Sequence, residues 1–294
     1  GIILTPGHPS GLTGALLIAT GAILLASKGL FAKALYTQGL NHLDVAAIRS
    51  VLAVPGFLLI ALLQHRRQHR SQTLFTPQSI VAAMVAGSLC YYLGSLANFY
   101  ALTLIQANVE RALLFSYPAM VVAMQAIALG RWPSSSVLTS LCATTIGVIL
   151  VTGALDQALT AQELEGVAWV LFCSMTIAIY FMVSGRLTTT MGAANFTVIA
   201  MTTAGALFFV HFLLANNSIE LAEFTIASAV TMAGLVVFAT ILPLFCMAEG
   251  VRRIGASRAA LVSTFGPPAT AAMAYVLYGE SLSSSQLIGT CMVV

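Results

Sequence analysis

Ten apolar runs, each about as long as a bilayer is thick, follow one another along this 294-residue chain. They cover about residues 13–34, 44–64, 78–102, 106–129, 135–154, 166–186, 194–215, 225–249, 256–278 and 284 to the end. A spanning helix needs roughly 17–25 residues, and each run meets that length or is cut short by the end of the sequence. Only 7% of the residues are charged and 59% are apolar, against roughly 25% charged in a soluble domain. The mean hydropathy is +0.95. Water is therefore not the main solvent, and the sequence predicts an all-α integral membrane protein.

The runs are not independent. Shifting the chain by 149 positions lays Ala107 on Ala256, Pro118 on Pro267, Gly130 on Gly279 and Cys142 on Cys291. The same shift lays Ser134, Ser135 and Ser136 on Ser283, Ser284 and Ser285. Identities at one offset without a gap mark a duplication. The two units are expected over residues 1–155 and 156–294, joined through the acidic stretch Asp156 to Glu165. Under this shift Val294 pairs with Thr145, and the first copy stays apolar beyond it, so the last helix is expected to lack its final turns. Near the start of each copy a shift of 152 sets Lys28 opposite Tyr180.

Five helices per unit is an odd number, so the second copy enters the membrane from the opposite side. Ten helices in two inverted five-helix repeats, basket-shaped around a central cavity, is an architecture of alternating-access transporters. Charge gives an independent indication. With the N-terminus inside, Arg66, Arg67, Arg70, Arg131, Arg186, Arg252, Arg253 and Arg258 fall on the cytoplasmic side. Only Lys33 and Arg111 fall outside, together with Asp156, Glu163, Glu165, Glu220 and Glu223. The positive-inside rule then makes both termini cytoplasmic.

Charges inside apolar runs cost some 2.5–3.5 kcal/mol each at mid-membrane on insertion scales, which makes them candidates for function. Lys28 has two readings, a cation facing a cavity and available to a substrate carboxylate, or a side chain snorkelling to the outer interface. Arg49 and Glu110 are expected to form a structural ion pair between the second and fourth helices, and Arg111 to be interfacial. In the third helix Tyr91, Ser95 and Asn98 share one helical face, with Tyr92 on the neighbouring one. These residues, with Tyr117 and Tyr180, are the candidate lining of the cavity. Pro118, Pro243 and Pro267 lie within helical runs and are expected to kink them or to serve gating.

Chemistry beyond binding finds no support. There is no HExxH, GxSxG or P-loop pattern, and no pair of intramembrane aspartates. Cys90, Cys142, Cys173, Cys246 and Cys291 sit in apolar runs without CxxC spacing, and read as packing residues. No enzyme activity, metal, cofactor or nucleic-acid partner is expected; the partners are a small-molecule substrate and the bilayer. The oligomeric state is left open, with a monomer compatible.

The inverted repeat, the Pro-centred helix, the turn Tyr278-Gly279-Glu280 and the Ser-x-x-Gln-Leu-x-Gly start from Ser283 to Gly289 resemble the drug/metabolite transporter superfamily, EamA-type permeases above all. Two departures stand out. The acidic residue often found before the fourth-helix proline is Tyr117 here, and the first Gly-Glu turn is Gly130-Arg131. An aromatic in place of that carboxylate is similar to the YddG-type aromatic amino acid exporters. That resemblance implies export of aromatic or large neutral amino acids, and related amphipathic metabolites, across a bacterial inner membrane. The alternatives are a nucleotide-sugar or phosphorylated-metabolite exchanger, disfavoured because Lys28 alone would meet a phosphate, and a passive channel.

Overall fold

Polar punctuation between the apolar runs decides where each helix begins and ends. The computed structural model describes residues 9–67, 76–128, 130, 135–151, 158–191, 193–215, 225–254, 262 and 266–293. Helices α1 (Pro9–Ala26), α2 (Lys28–Thr37), α3 (His42–Arg67) and α4 (Pro77–Gly87) open the chain. A π-helical segment, Ser88–Gly94, joins α4 to α5 (Ser95–Ala101). Then come α6 (Ala107–Leu114), α7 (Tyr117–Ala128), α8 (Ser135–Val151), α9 (Ala161–Met191) and α10 (Ala193–Leu214). The remainder holds α11 (Ile226–Val236), a second π-helical segment Val237–Ile241, α12 (Leu242–Ile254), α13 (Gly266–Tyr278) and α14 (Ser284–Val293). Each of the ten apolar runs carries helix. Seven segments among the described residues are long and apolar enough to cross a membrane: Gly11–Thr37, His42–Leu63, Pro77–Ala101, Ala107–Ala128, Ala161–Ser184, Asn195–Leu214 and Ile226–Met247. Arg70, Arg131, Asp156 and Arg258 lie outside the described residues.

The repeat reaches the level of single hydrogen bonds. Thr76 caps α4: the Ser79 N–H donates to Thr76 Oγ1 at 3.2 Å, and the Thr76 N–H donates to Ser79 Oγ at 3.1 Å. At α11 the Ser228 N–H donates to Thr225 Oγ1 at 3.1 Å. Thr76 and Thr225 are 149 positions apart, and so are Ser88 and Val237, which open the two π-helical segments. Gly130 and Gly279 both turn the chain with positive φ, 58° and 68°, a region that other residues enter only with strain.

Helix packing repeats in the same way. α1 packs on α12 and α13, and its counterpart α9 packs on α4–α5 and on α7. α3 packs on α10 and α8 on α14, each a helix against its own equivalent, and α6 of the first half packs on α13 of the second. The matching partners of α1 and α9, and the pairings of α3 with α10 and of α8 with α14, survive exchange of the two halves, as a two-fold repeat requires. Small residues permit the closeness: a Cβ added at Gly87 would collide with the Ala200 backbone of α10. Leu58, Leu59 and Leu62 of α3 and Leu213 and Leu214 of α10 point outward and are exposed. Such an apolar exterior suits lipid rather than water.

The prolines stand at the starts of helical segments, and at Pro243 the helix continues unbroken from the π-helical segment before it. Pro118 and Pro267 are the second residues of α7 and α13, and Pro243 is the second residue of α12. Pro118 therefore does not interrupt a continuous helix as expected. The chain leaves α6 through the turn at Phe115 and Ser116, and proline occupies the first turn of α7, where its missing N–H is no loss. The carbonyls left over at the end of α6 are met from α9. Ser174 Oγ donates to the oxygens of Leu114 and Leu113 at 3.2 and 3.4 Å. Before Pro243 the π-helical segment changes the hydrogen-bond register, and Thr240 Oγ donates to the Leu235 oxygen at 3.0 Å.

Candidate functional site

Four charged residues meet inside the first half. Lys28 opens α2 directly after the break at Ser27, while Arg49 lies about two turns into α3. Glu110 and Arg111 lie in α6. Gly29 lets α6 approach α2: a Cβ there would stand 3.2 Å from Ala107 Cβ and 3.6 Å from Glu110 Oε2. This closeness places Glu110 beside Lys28, 3.9 Å between Oε1 and Nζ. Asn98 of α5 bridges them, accepting from Lys28 Nζ through Oδ1 and donating through Nδ2 to Glu110 Oε1. Glu110 and Asn98 are each 1% exposed, so this network is shielded from solvent on the carboxylate side.

The expected pair of Arg49 with Glu110 is not what the structure contains. Glu110 pairs with Lys28, and Arg49 Nη2 donates instead to Ser95 Oγ at 2.7 Å and to Ser50 Oγ at 3.4 Å. Arg49 also lies over the Phe99 ring, 5.0 Å from its centroid, and Lys28 faces the same ring at 5.7 Å. Arg111 is not interfacial. It is 5% exposed, stacks 5.4 Å from the Phe115 centroid, and its Nη2 would lie 3.5 Å from a Cβ placed on Gly266 of α13. That residue belongs to the second half.

The aromatic candidates divide. Tyr91, in the first π-helical segment, meets Tyr180 of α9 edge-on at 5.0 Å, and Tyr180 stacks in turn on Phe196 at 5.2 Å. The two hydroxyls of Tyr91 and Tyr180 are within hydrogen-bonding reach. Rings from both halves thus close on each other next to the charges. Tyr117 sits beside Phe115, 6.2 Å between centroids. Tyr92 is engaged elsewhere, its hydroxyl 2.9 Å from His211 Nδ1 and its ring edge-on to Phe208 of α10. Consecutive residues of a helix point about 100° apart, so Tyr91 meets α9 while Tyr92 on the neighbouring face meets α10.

Sequence reasoning missed the bridging role of Asn98 and the burial of Arg111. A signal was present. Lys28 stands opposite Tyr180 at the 152 shift of the first helix, and Arg49, Glu110 and Arg111 align at 149 with Val198, Ala259 and Ala260, none of them charged. The cluster departs from a duplication that otherwise preserves caps, turns and π-helical segments, which marks it as specialised rather than architectural.

Beyond the cluster, towards the α2 C-terminus, lies a depression of about 570 Å³ bordered by Lys33, Gln106, Val109, Glu163, Ser283 and Gln286, among others. Lys33 pairs across it with Glu280 at 3.4 Å, and Tyr278 donates to the Leu30 oxygen at 2.9 Å. These contacts tie α2 to the end of α13. Among the described residues no group of three or more His, Cys, Asp or Glu is placed to hold a metal ion.

Comparison with known proteins agrees with the duplication. The EamA-like transporter family matches residues 12–153 and again residues 164–294. A protein of Bacillus subtilis (strain 168) named "Uncharacterized transporter YcbK" is 30% identical over 279 residues, 94% of this chain and 88% of that one. A crystal structure 16% identical in sequence superposes with a TM-score of 0.63, over 95% of this chain and 93% of the other, and so shares the fold. The family accounts for both halves and places the chain among membrane transporters rather than enzymes: this protein is a member of the EamA-like transporter family.

Proposed function

We propose that this transporter moves amino acids, aromatic or large neutral ones above all, and related amphipathic metabolites across the bacterial inner membrane by alternating access. Ten spans in two inverted five-helix repeats, with both termini cytoplasmic, provide the frame. The observation that carries the reading is a charged cluster flanked by aromatic rings where the two halves meet, Tyr91 from one and Tyr180 from the other. An amphipathic solute needs both features at once: rings for its apolar body, worth roughly 0.5–1.5 kcal/mol per aromatic pair beyond area, and charges for its polar end. Inverted-repeat transporters bind their substrates at the interface between the repeats. Lys28 takes part differently from a free ammonium, because Glu110 and Asn98 already hold it. A substrate carboxylate reaches Lys28 only by competing with Glu110.

The test is counterflow in proteoliposomes with labelled phenylalanine, tryptophan, leucine and threonine, against protein-free liposomes. Exchange of the aromatic and large neutral members above the threonine rate is expected. No counterflow of any of them would overturn the amino acid reading while leaving the family in place.

A further inference from the structure

The charge count at the cluster is unequal. Three cations, Lys28, Arg49 and Arg111, are gathered within membrane-spanning helices, and among the described residues Glu110 is the one carboxylate within 4.0 Å of any of them. Asp44 precedes Arg49 by five residues on α3, which turns it by about 140° to another face of that helix. Arg49 and Arg111 are 7% and 5% exposed, and the Nε atom of each is buried without a hydrogen-bond partner. Their contacts to Phe99 and Phe115 offset part of the charge and satisfy neither donor. Asn108, one turn before Arg111 and on the same face of α6, also leaves its Nδ2 buried and unpaired. These three are all N–H donors, and Ser116 Oγ, next to Phe115, is buried without a partner as well. Native proteins rarely bury so many, because each forfeits hydration without a replacement.

We infer that the site receives a net anion: a small molecule with an aromatic or apolar body whose oxyanion, carboxylate or phosphate, is held by Arg111 and Arg49 between the two halves. This rests on the cluster being the transport site, and it favours the anionic members of the related amphipathic metabolites over the amino acids proposed above. Guanidinium groups suit the role, since their planar donor forks match carboxylate and phosphate oxygens. Glu110 neutralises Lys28 and keeps it from competing for the anion. An amino acid brings an ammonium as well as its carboxylate, and against the three cations the cluster sets one carboxylate, Glu110, whose Oε1 already faces Lys28 and Asn98. Among solutes of one shape, the one lacking the amine is therefore the better match.

The experiment is a binding titration on the detergent-purified full chain with four phenyl compounds: 3-phenylpropionate, phenyl phosphate, phenylalanine and phenethylamine. At least one of the two anions should bind about tenfold or more tightly than phenylalanine and phenethylamine, and the better one identifies the oxyanion. Arg111→Gln should weaken that binding at least about tenfold, and Arg111→Lys should recover part of it. Thermal unfolding of each variant establishes that it is folded. Phenylalanine or phenethylamine binding as well as both anions, binding by none of the four, or Arg111→Gln without effect would each overturn the inference. Phenylalanine binding and counterflow without anion preference would overturn it and leave the amino acid reading intact. Anion binding without phenylalanine counterflow would do the reverse.

Discussion

Removing the charge of Glu110 isolates the energetics of the cluster. In Glu110→Gln the side chain keeps its size and one acceptor, while Lys28 loses the carboxylate 3.9 Å away. Breaking a buried ion pair by removing one partner costs about 3–5 kcal/mol, because the other charge stays behind uncompensated. The Lys28 side chain retains 14% of its exposure, and the separation is long for a salt bridge, so the lower figure of about 3 kcal/mol applies. At about 2 °C per kcal/mol for a chain of this size, the melting temperature should fall by about 6 °C. Thermal unfolding of detergent-purified protein, followed by intrinsic fluorescence, measures it. The double variant Lys28→Met with Glu110→Gln removes both charges and should be more stable than the sum of the single losses by at least about 1 kcal/mol. Losses that add to within about 0.5 kcal/mol would mean the two residues do not interact, and the reasoning about the pair would fail.

Other expectations address the frame and the lining. A Cβ at Gly94 would collide with the Thr176 hydroxyl of α9, so Gly94→Ala should destabilise by about 1–3 kcal/mol, and adding Thr176→Ala should restore most of it, as unfolding will show. Thr76→Ala and Thr225→Ala should each lose about 1 kcal/mol, equal within error if the two caps are equivalent. Ser174→Ala removes the donor that serves the end of α6 and should lower stability by about 1 kcal/mol in the same assay. In counterflow, Tyr91→Ala should reduce phenylalanine exchange more than threonine exchange; an equal reduction would make Tyr91 a packing residue rather than part of a pocket.

What was legible in the sequence followed from length and recurrence. Apolar runs of spanning length located the helices, and the 149-residue offset located the equivalent prolines and Gly130 with Gly279. Nothing in the apolar pattern says which helices pack on the neighbouring faces of Tyr91 and Tyr92, so their partners on α9 and α10 were not legible. The partner of Glu110 was out of reach for another reason. Lys28 and Arg49 lie 82 and 61 positions from it, and either choice satisfies charge pairing. The decision belongs to Gly29, whose missing side chain admits α6 against α2. Arg111 was read as interfacial from its place at the start of an apolar run. Its burial comes from α13, a contact between halves that no local pattern encodes.

The proposed alternating access requires that the duplication be inverted, with the two halves opening in turn to either side. Gln78 of α4 and Ala227 of α11 are equivalent by the 149-residue offset, and both are exposed. Each is to be replaced by cysteine in a cysteine-free background and labelled in oriented membranes with an impermeant maleimide. Labelling of Gln78→Cys from the cytoplasmic side alone and of Ala227→Cys from the outer side alone is the predicted result. Both positions reacting from the same side would contradict the inverted repeat, and with it the placement of the site.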